Sequence, residues 1–400
     1  MIPVAKPYLT SDDAQSAYDT ILTGWVTQGP KVQEFEEHFA AYVGSRYAVA
    51  VSSCTTALHL AMLVVGVGPG DEVICPSLSY IATSNSILYT GARPVFAEVL
   101  PVTYNIDAGY AESLITSRTK AILIVHQMGM PADIDAFKRL CETYKLHLVE
   151  DAACAVGSTY KGRKIGCHSD LVCFSFHPRK VITTGDGGMI TTSRRDYAER
   201  LRRLRQHGMS VSDRERHAAN KVVFEQHLEV GYNYRMTDIQ AAVGIKQLEK
   251  LDWIITQRRR IADRYNEAFA EIDCLTVPKE EPGLLSNYQS YCLYVKETAP
   301  ISRNDLMASL LEKGISTRRG IMTSHRERAY KDICAGLRLP ASEGLSDRSI
   351  ILPLYVGMTD ADIDQVVHSI GQIMKGHCLP TEATPAPRLT HEGHQGSIPN

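Results

Sequence analysis

AVAVSSCTTALHLAMLVVGVGPGDEVICP, residues 48–76, reads as strand, helix and strand in one stretch. The run at 48–53 is apolar and rich in valine, residues 55–66 form an apolar helical segment, and EVICP at 72–76 returns to strand composition. A helix between two strands is the connection that parallel pairing requires. GVGPGD at 66–71 lacks the glycine spacing and following lysine of a nucleotide loop, so it is read as a turn.

The same alternation continues outward. SYIATSNSILYTG (79–91), PVFAEV (94–99), KAILIVH (120–126), ADIDAFKRLCETY (132–144), LHLVE (146–150) and LVCFSF (171–176) describe a mixed, mostly parallel sheet covered by helices, an α/β fold. Upstream, Ser11 can cap a helix ending at Gly24. Val32, Phe35, Phe39 and Val43 make a helical stripe closed by Gly44. Downstream, residues 236–270 read as one long helix, followed by strand-like YCLYVK (291–296) and IILPL (350–354). The expected division is a large domain of 1–250, a smaller C-terminal α/β domain of 251–378, and a disordered tail of 379–400, too poor in apolar residues to offset its ordering entropy.

Composition narrows the function. The 43 basic residues are balanced by 45 acidic ones, and no basic block marks a nucleic-acid partner. No run approaches the roughly 18 apolar residues of a membrane span, and the start MIPVAKPYLTSDDAQ lacks a signal pattern, so a cytoplasmic protein is expected. Ten scattered cysteines without a CxxC pair fit a reducing compartment. Cys167 and His168 have no second pair at ligand spacing, so no metal site is expected. The run RRRIADRY (258–265) is read as a solvated helix face.

Ligands of α/β sheets bind beyond the carboxyl ends of the strands. Asp151 closes LHLVED there, and Lys180 follows LVCFSFHPR and precedes TTGDGG. His126 and Gln127 follow a third strand and could line the pocket or support it. Singly, Asp151 could be a helix cap and Lys180 a surface lysine. A third element decides between these readings: Ser53-Cys54-Thr55-Thr56 opens a helix whose free N–H groups can hold a phosphate. Lysine, carboxylate and phosphate cradle together describe a pyridoxal phosphate site, in which the lysine forms the Schiff base and the acid keeps the pyridine nitrogen protonated.

GWVTQGPKVQEFEEHFAAYVG (24–44), SSCTTALHLAM (52–62), VEDAACAVGS (149–158), CFSFHPRKVITTGDGGMITT (173–192) and GYNYRMTDIQAAVGIKQLEKLD (231–252) extend the pattern along the chain. In order, they resemble the DegT/StrS family of pyridoxal phosphate-dependent sugar aminotransferases, over residues 2–375. The resemblance implies a fold-type I transferase with Lys180 as Schiff-base lysine and proton shuttle, and Asp151 as partner of the ring nitrogen. It implies Ser175 and the Thr55 and Thr56 backbone as phosphate ligands, and Tyr80 stacked on the ring. Asn233, with Arg235 nearby, would reach the partner's phosphate across a homodimer with shared active sites. Lysine at 180, where deoxysugar dehydratases of the family carry histidine, implies transamination through pyridoxamine phosphate, with glutamate as donor and a keto-sugar nucleotide as acceptor.

Two stretches depart from the family pattern. Cys154 stands where Gln or His commonly faces the cofactor's phenolic oxygen, and a thiol is a weak donor. In GISTRRGIMTSHRERAY (314–330), His325 and Tyr330 match the substrate-binding pattern, whereas Gly320 and Ile321 replace its first His-Tyr. Arg318 and Arg319 could grip an anionic group of the substrate, although neighbours on a strand alternate faces. The rival readings are a transaminase of a free keto-cyclitol or small keto compound, and a non-catalytic sensor that retains the cofactor.

Overall fold

The computed structural model describes residues 1–211, 216, 220 and 222–376; the tail expected at 379–400 lies outside them. Its main sheet has seven strands. They are β1 (Tyr47–Val51), β2 (Glu72–Pro76), β3 (Arg93–Ala97), β4 (Thr119–Val125), β5 (His147–Asp151), β8 (Leu171–Ser175) and β9 (Gly188–Thr192), with the short β6 (Thr159–Tyr160) and β7 (Arg163–Lys164) lying apart. The order is β1-β9-β8-β5-β4-β2-β3. Pairs β2–β3, β2–β4, β4–β5 and β5–β8 are parallel, and β9 runs antiparallel to both its neighbours. The mixed, mostly parallel α/β sheet is the expected one; β9, the GMITT run, is the strand that the alternation alone did not reveal.

Strand periodicity explains why both faces are covered. Along β1, Ala48 and Ala50 enter one apolar cluster while Val49 and Val51 enter another, because successive side chains point to opposite faces. The first cluster packs beneath α2 (Pro30–Val43), whose Val32, Phe35, Phe39 and Val43 are all buried as the stripe requires. Phe39 meets Phe174 edge-on at 5.0 Å and Phe176 at 5.6 Å, contacts of about 0.5–1.5 kcal/mol each beyond burial. The second cluster packs beneath α3 (Cys54–Val64) and the helix Arg195–Leu204.

Three local expectations are corrected. The first helix, α1 (Ser11–Leu22), is capped by Thr10, whose N–H donates to Asp13 Oδ2 at 2.7 Å, so Ser11 is its first residue. The long helix of 236–270 is two helices, Asp238–Glu249 and Leu251–Phe269. The chain turns at Lys250, whose ammonium is drawn to buried Asp13 at 2.6 Å. The basic run after Gln257 is not wholly solvated either. Arg258 is buried and donates to the carbonyls of Tyr288 at 2.9 Å and Gln289 at 2.6 Å.

A second, four-stranded antiparallel sheet has the order β10-β12-β14-β13. Its strands are β10 (Leu275–Thr276), β12 (Tyr291–Val295), β13 (Arg318–Arg319) and β14 (Ser349–Leu352), while β11 (Leu284–Leu285) pairs with β6. Helices Leu251–Phe269, Arg303–Glu312 and Asp360–Gly376 flank it over an apolar core. Ile2 joins this core from the other end of the chain, bridged to Ile315. Among the described residues no helix is long and apolar enough to cross a membrane.

Candidate active site

The carboxyl ends of β1, β2, β5 and β8 open onto one cavity of about 510 Å³. From the main sheet it is lined by Ser53, Cys54, Thr55, Tyr80, Asp151, Ser175 and Lys180; Val4, Ala5, Arg318, Arg319, Ile351 and Leu352 form the facing wall. A larger cavity of about 820 Å³ lies beneath Gln28, Arg202 and Arg205. Its buried Arg205 is engaged by buried Glu36, and it contains neither Asp151 nor Lys180.

Asp151 is the last residue of β5 and is buried. Its Oδ2 accepts from the Thr83 hydroxyl at 2.8 Å and its Oδ1 from the Ala153 N–H at 3.1 Å. Thr83 belongs to α4 (Ala82–Leu88), and its role was not legible in the sequence. Burial raises the Asp151 carboxyl above its ordinary range; the bonds from Thr83 and Ala153 and the charge of Lys180 oppose the rise without cancelling it. A buried carboxylate of this kind is stabilised by a cation against it, which a protonated ring nitrogen would supply.

Lys180 sits in the turn after β8, its N–H donating to the His177 carbonyl at 2.8 Å. Its Nζ lies 3.2 Å from Cys154 Sγ. Burial works against the ammonium, but Cys154, Cys54 and Asp151 outweigh it and raise Lys180 above its ordinary range.

The start of α3 is built by capping. Ser53 Oγ accepts the Thr56 N–H at 3.2 Å, while the Thr56 hydroxyl donates to the Ser53 carbonyl at 2.8 Å. Thr56 is thereby committed to the cap and does not line the cavity. The N–H groups of Cys54 and Thr55, at the first turn of α3, have no preceding helical carbonyl to accept them, and both residues line the cavity, an arrangement that suits an anion. Ser175 lines the same cavity and pairs with Gly188 in the register of β8 and β9. A Cβ on Gly188 would come within 2.5 Å of the Ser53 carbonyl, so only glycine lets β9 pass this close to the start of α3. These residues fit a phosphorylated pyridine aldehyde: oriented N–H donors at one end, a buried acid, and an amine.

The remaining residues divide. Tyr80 lines the cavity and keeps 71% of its surface exposed, a ring with a free face at the mouth. Arg318 and Arg319 both line the facing wall and are exposed; Arg319 has Glu327 at 3.8 Å. Asn233 is exposed, bridges to Gln206, and is absent from the lining, as is Arg235. Neither His325 nor Tyr330 is brought into the cavity. His325 is buried between the Ser77 hydroxyl at 2.6 Å and Glu343 Oε1 at 3.3 Å, and both ring nitrogens are used there. Tyr330 packs against Phe96 in the core and donates to Asn85 at 2.7 Å. His126 and Gln127 are likewise buried outside the lining, His126 bonded to Glu150 at 2.8 Å. His177, Arg179, Asp186 and Gln289 do line the cavity and were not foreseen. The first three flank Lys180 in sequence, which is the signal that could have found them.

The family profile of DegT/DnrJ/EryC1/StrS aminotransferases matches residues 7–371. The chain belongs to this family.

Relatives agree across nearly the full length. The spore coat polysaccharide biosynthesis protein SpsC of Bacillus subtilis is 38% identical over 383 residues, 94% of this chain and 97% of that protein. The aminotransferase TlmJ of Streptoalloteichus hindustanus superposes with a TM-score of 0.85 at 33% identity, covering 92% of this chain and 98% of the other. The putative sugar aminotransferase Spr1654 of Streptococcus pneumoniae gives 0.89 at 28% identity in its PMP form, covering 94% and 100%, and is also known in a PLP form. Like them, this DegT/DnrJ/EryC1/StrS protein has the fold-type I architecture. It is a pyridoxal phosphate-dependent aminotransferase.

Proposed function

We propose that this aminotransferase moves an amino group from glutamate to the keto group of a nucleotide-linked sugar, as a homodimer with shared sites. The observation that carries the reading is the single cavity that holds Lys180 and Asp151 on one wall and two arginines on the other. When bound, the cofactor supplies an electron sink for charge developing at the substrate carbon. The chain supplies the rest. Asp151 would hold a proton at the ring nitrogen, and the α3 N-terminus with Thr55 and Ser175 would bind the phosphate. Lys180 Nζ would carry the proton between carbon centres.

Tyr80 would cover the ring with its free face. Arg318 and Arg319 would take the anionic part of each substrate, by paired hydrogen bonds to a diphosphate or a carboxylate. Asn233, exposed and outside its own chain's cavity, would complete the site of the second copy. The division into a domain of residues 1–250 and a smaller one beyond belongs to the same reading, supported by separate apolar cores around the two sheets.

The test presents the pyridoxamine phosphate-loaded enzyme with a panel of keto-sugar nucleotides, uncharged keto-cyclitols and small keto acids, and follows the return of the lysine-bound absorption. Return with sugar nucleotides supports the reading. Return with cyclitols alone replaces the substrate, and no return with any ketone or amino donor makes the protein a sensor. Lys180→Ala must lose both the visible absorption and turnover.

A further inference from the structure

The sulfur beside the reacting amine is held in place too elaborately for a bystander. Among the described residues, Cys154 Sγ is the one side-chain atom within hydrogen-bond distance of Lys180 Nζ, at 3.2 Å. Both ends of that contact are fixed by the same short segment on the far side of the site. Asn287, fully buried, donates through Nδ2 to the carbonyls of Cys154 at 2.9 Å and Val156 at 2.8 Å. Its Oδ1 accepts the Gln289 N–H at 2.8 Å, and Gln289 Nε2 donates to the carbonyl of Arg179, the residue before Lys180, at 3.0 Å.

The segment itself is anchored. Arg258 binds the carbonyls of Tyr288 and Gln289, and the Asn287 N–H donates to Ser158 Oγ at 3.1 Å. Gly129 leaves the room, because a Cβ there would lie 2.0 Å from Asn287 Oδ1. Residues 287–289 thus bracket the turn carrying Cys154 and the turn carrying Lys180, and the sulfur–nitrogen distance follows from that bracket.

We infer that Cys154 is a further residue of the transamination reaction, one that governs when the Lys180 amine gives up its proton, with Asn287 and Gln289 as its positioning residues. This rests on the assignment of Lys180 above and goes beyond it. Lysine can attack an aldehyde, or take a proton from carbon, only as the neutral amine. On attack the Nζ–carbon bond forms, the aldehyde oxygen leaves as water, and Nζ surrenders its protons to that water. The other titratable and charged groups acting on Lys180 are Cys54 and Asp151, with His177, Asp186 and Arg179 also lining the cavity. Neither Cys54 nor Asp151 is in hydrogen-bond contact with Nζ: Cys54 is buried at the start of α3, and Asp151 is occupied by Thr83 and Ala153. Cys154 remains as the group in contact. A thiol bonds weakly in either direction, so it steadies the ammonium without locking it as a carboxylate would.

The test measures the rate at which cofactor-free enzyme captures pyridoxal phosphate, by its visible absorption, across pH. Cys154→Ala leaves burial unopposed by sulfur, and the pH of half-maximal rate is expected to fall by about one unit; Cys154→Asp is expected to raise it by a similar amount. Gln289→Ala, which loosens the bracket without emptying the core, should move it the same way as Cys154→Ala by a smaller step. Iodoacetamide labelling of Cys154 in the wild type should slow once Lys180 has captured the cofactor. Identical pH profiles for wild type and both Cys154 variants, all of which capture the cofactor, overturn the inference and leave the Lys180 assignment intact. Failure of the wild type itself to capture the cofactor overturns that assignment instead.

Discussion

Thr83 Oγ1 donates to Asp151 Oδ2 at 2.8 Å, which ties α4 to the buried carboxyl at the end of β5. The bond orients the carboxylate and lowers its pKa against the pull of burial. Removing it by Thr83→Val should weaken retention of pyridoxal phosphate by about 1.5–3 kcal/mol, the value of a hydrogen bond to a charged group. Equilibrium dialysis of cofactor against the variant measures this, and unchanged affinity would show that Asp151 needs no support from α4.

Asp151 also sets a pH dependence of the cofactor-free protein. Burial raises its folded pKa, so folding favours the protonated acid. That contribution is complete below the ordinary carboxylate range and is lost as pH rises through the raised folded value. Cofactor-free Asp151→Asn should therefore resist urea better than wild type at neutral pH and converge with it below about pH 4. Parallel urea curves for the two proteins at every pH would contradict this sign.

Gly188 tests the cradle. A methyl group there would meet the Ser53 carbonyl at 2.5 Å and the Cys54 nitrogen at 2.7 Å, backbone atoms that can yield only if the start of α3 moves. Gly188→Ala should cost about 1–3 kcal/mol of stability and weaken phosphate binding more than ring binding. Comparing the affinity of pyridoxal phosphate with that of pyridoxal in the variant reads the difference.

His325 and Glu343 should affect stability and leave substrate affinity alone. Glu343 is held down to about 2, chiefly by the Leu339 N–H and further by Arg338 and His325. Its stabilising contribution is present above the ordinary glutamate range and is lost as pH falls through that depressed value. Glu343→Gln and His325→Ala should each lower the Tm, the latter through loss of about 1–3 kcal/mol from the stranded partners, with KM unchanged. A raised KM in His325→Ala would restore the role in substrate binding that the motif predicted.

Arg318 and Arg319 should separate in kinetics. Arg319 shares its charge with Glu327 at 3.8 Å, whereas Arg318 has no acidic partner within ion-pair distance among the described residues. Arg318→Ala should raise KM for a sugar nucleotide about tenfold or more, and Arg319→Ala by less. Equal KM values in both variants and the wild type would remove the arginines from substrate recognition.

What the sequence determined by itself lies in short stretches. Alternating apolar strands and helices gave the α/β sheet, because side-chain periodicity is a local property. Asp151, Lys180 and the Ser53–Thr55 turn were legible because each closes or follows a strand within a few residues. Tertiary structure decided the rest. His325 and Tyr330 sit in a motif that reads as a substrate loop, yet burial and their partners Ser77, Glu343 and Asn85 draw them away from the cavity. Arg258 reads as a surface charge until the carbonyls of Tyr288 and Gln289 are folded onto it. The 3.2 Å approach of Cys154 to Lys180 depends on Asn287, 133 residues away from Cys154 in sequence. A pattern of neighbours along a chain carries no information on such a contact, which exists only once two distant segments have packed against each other.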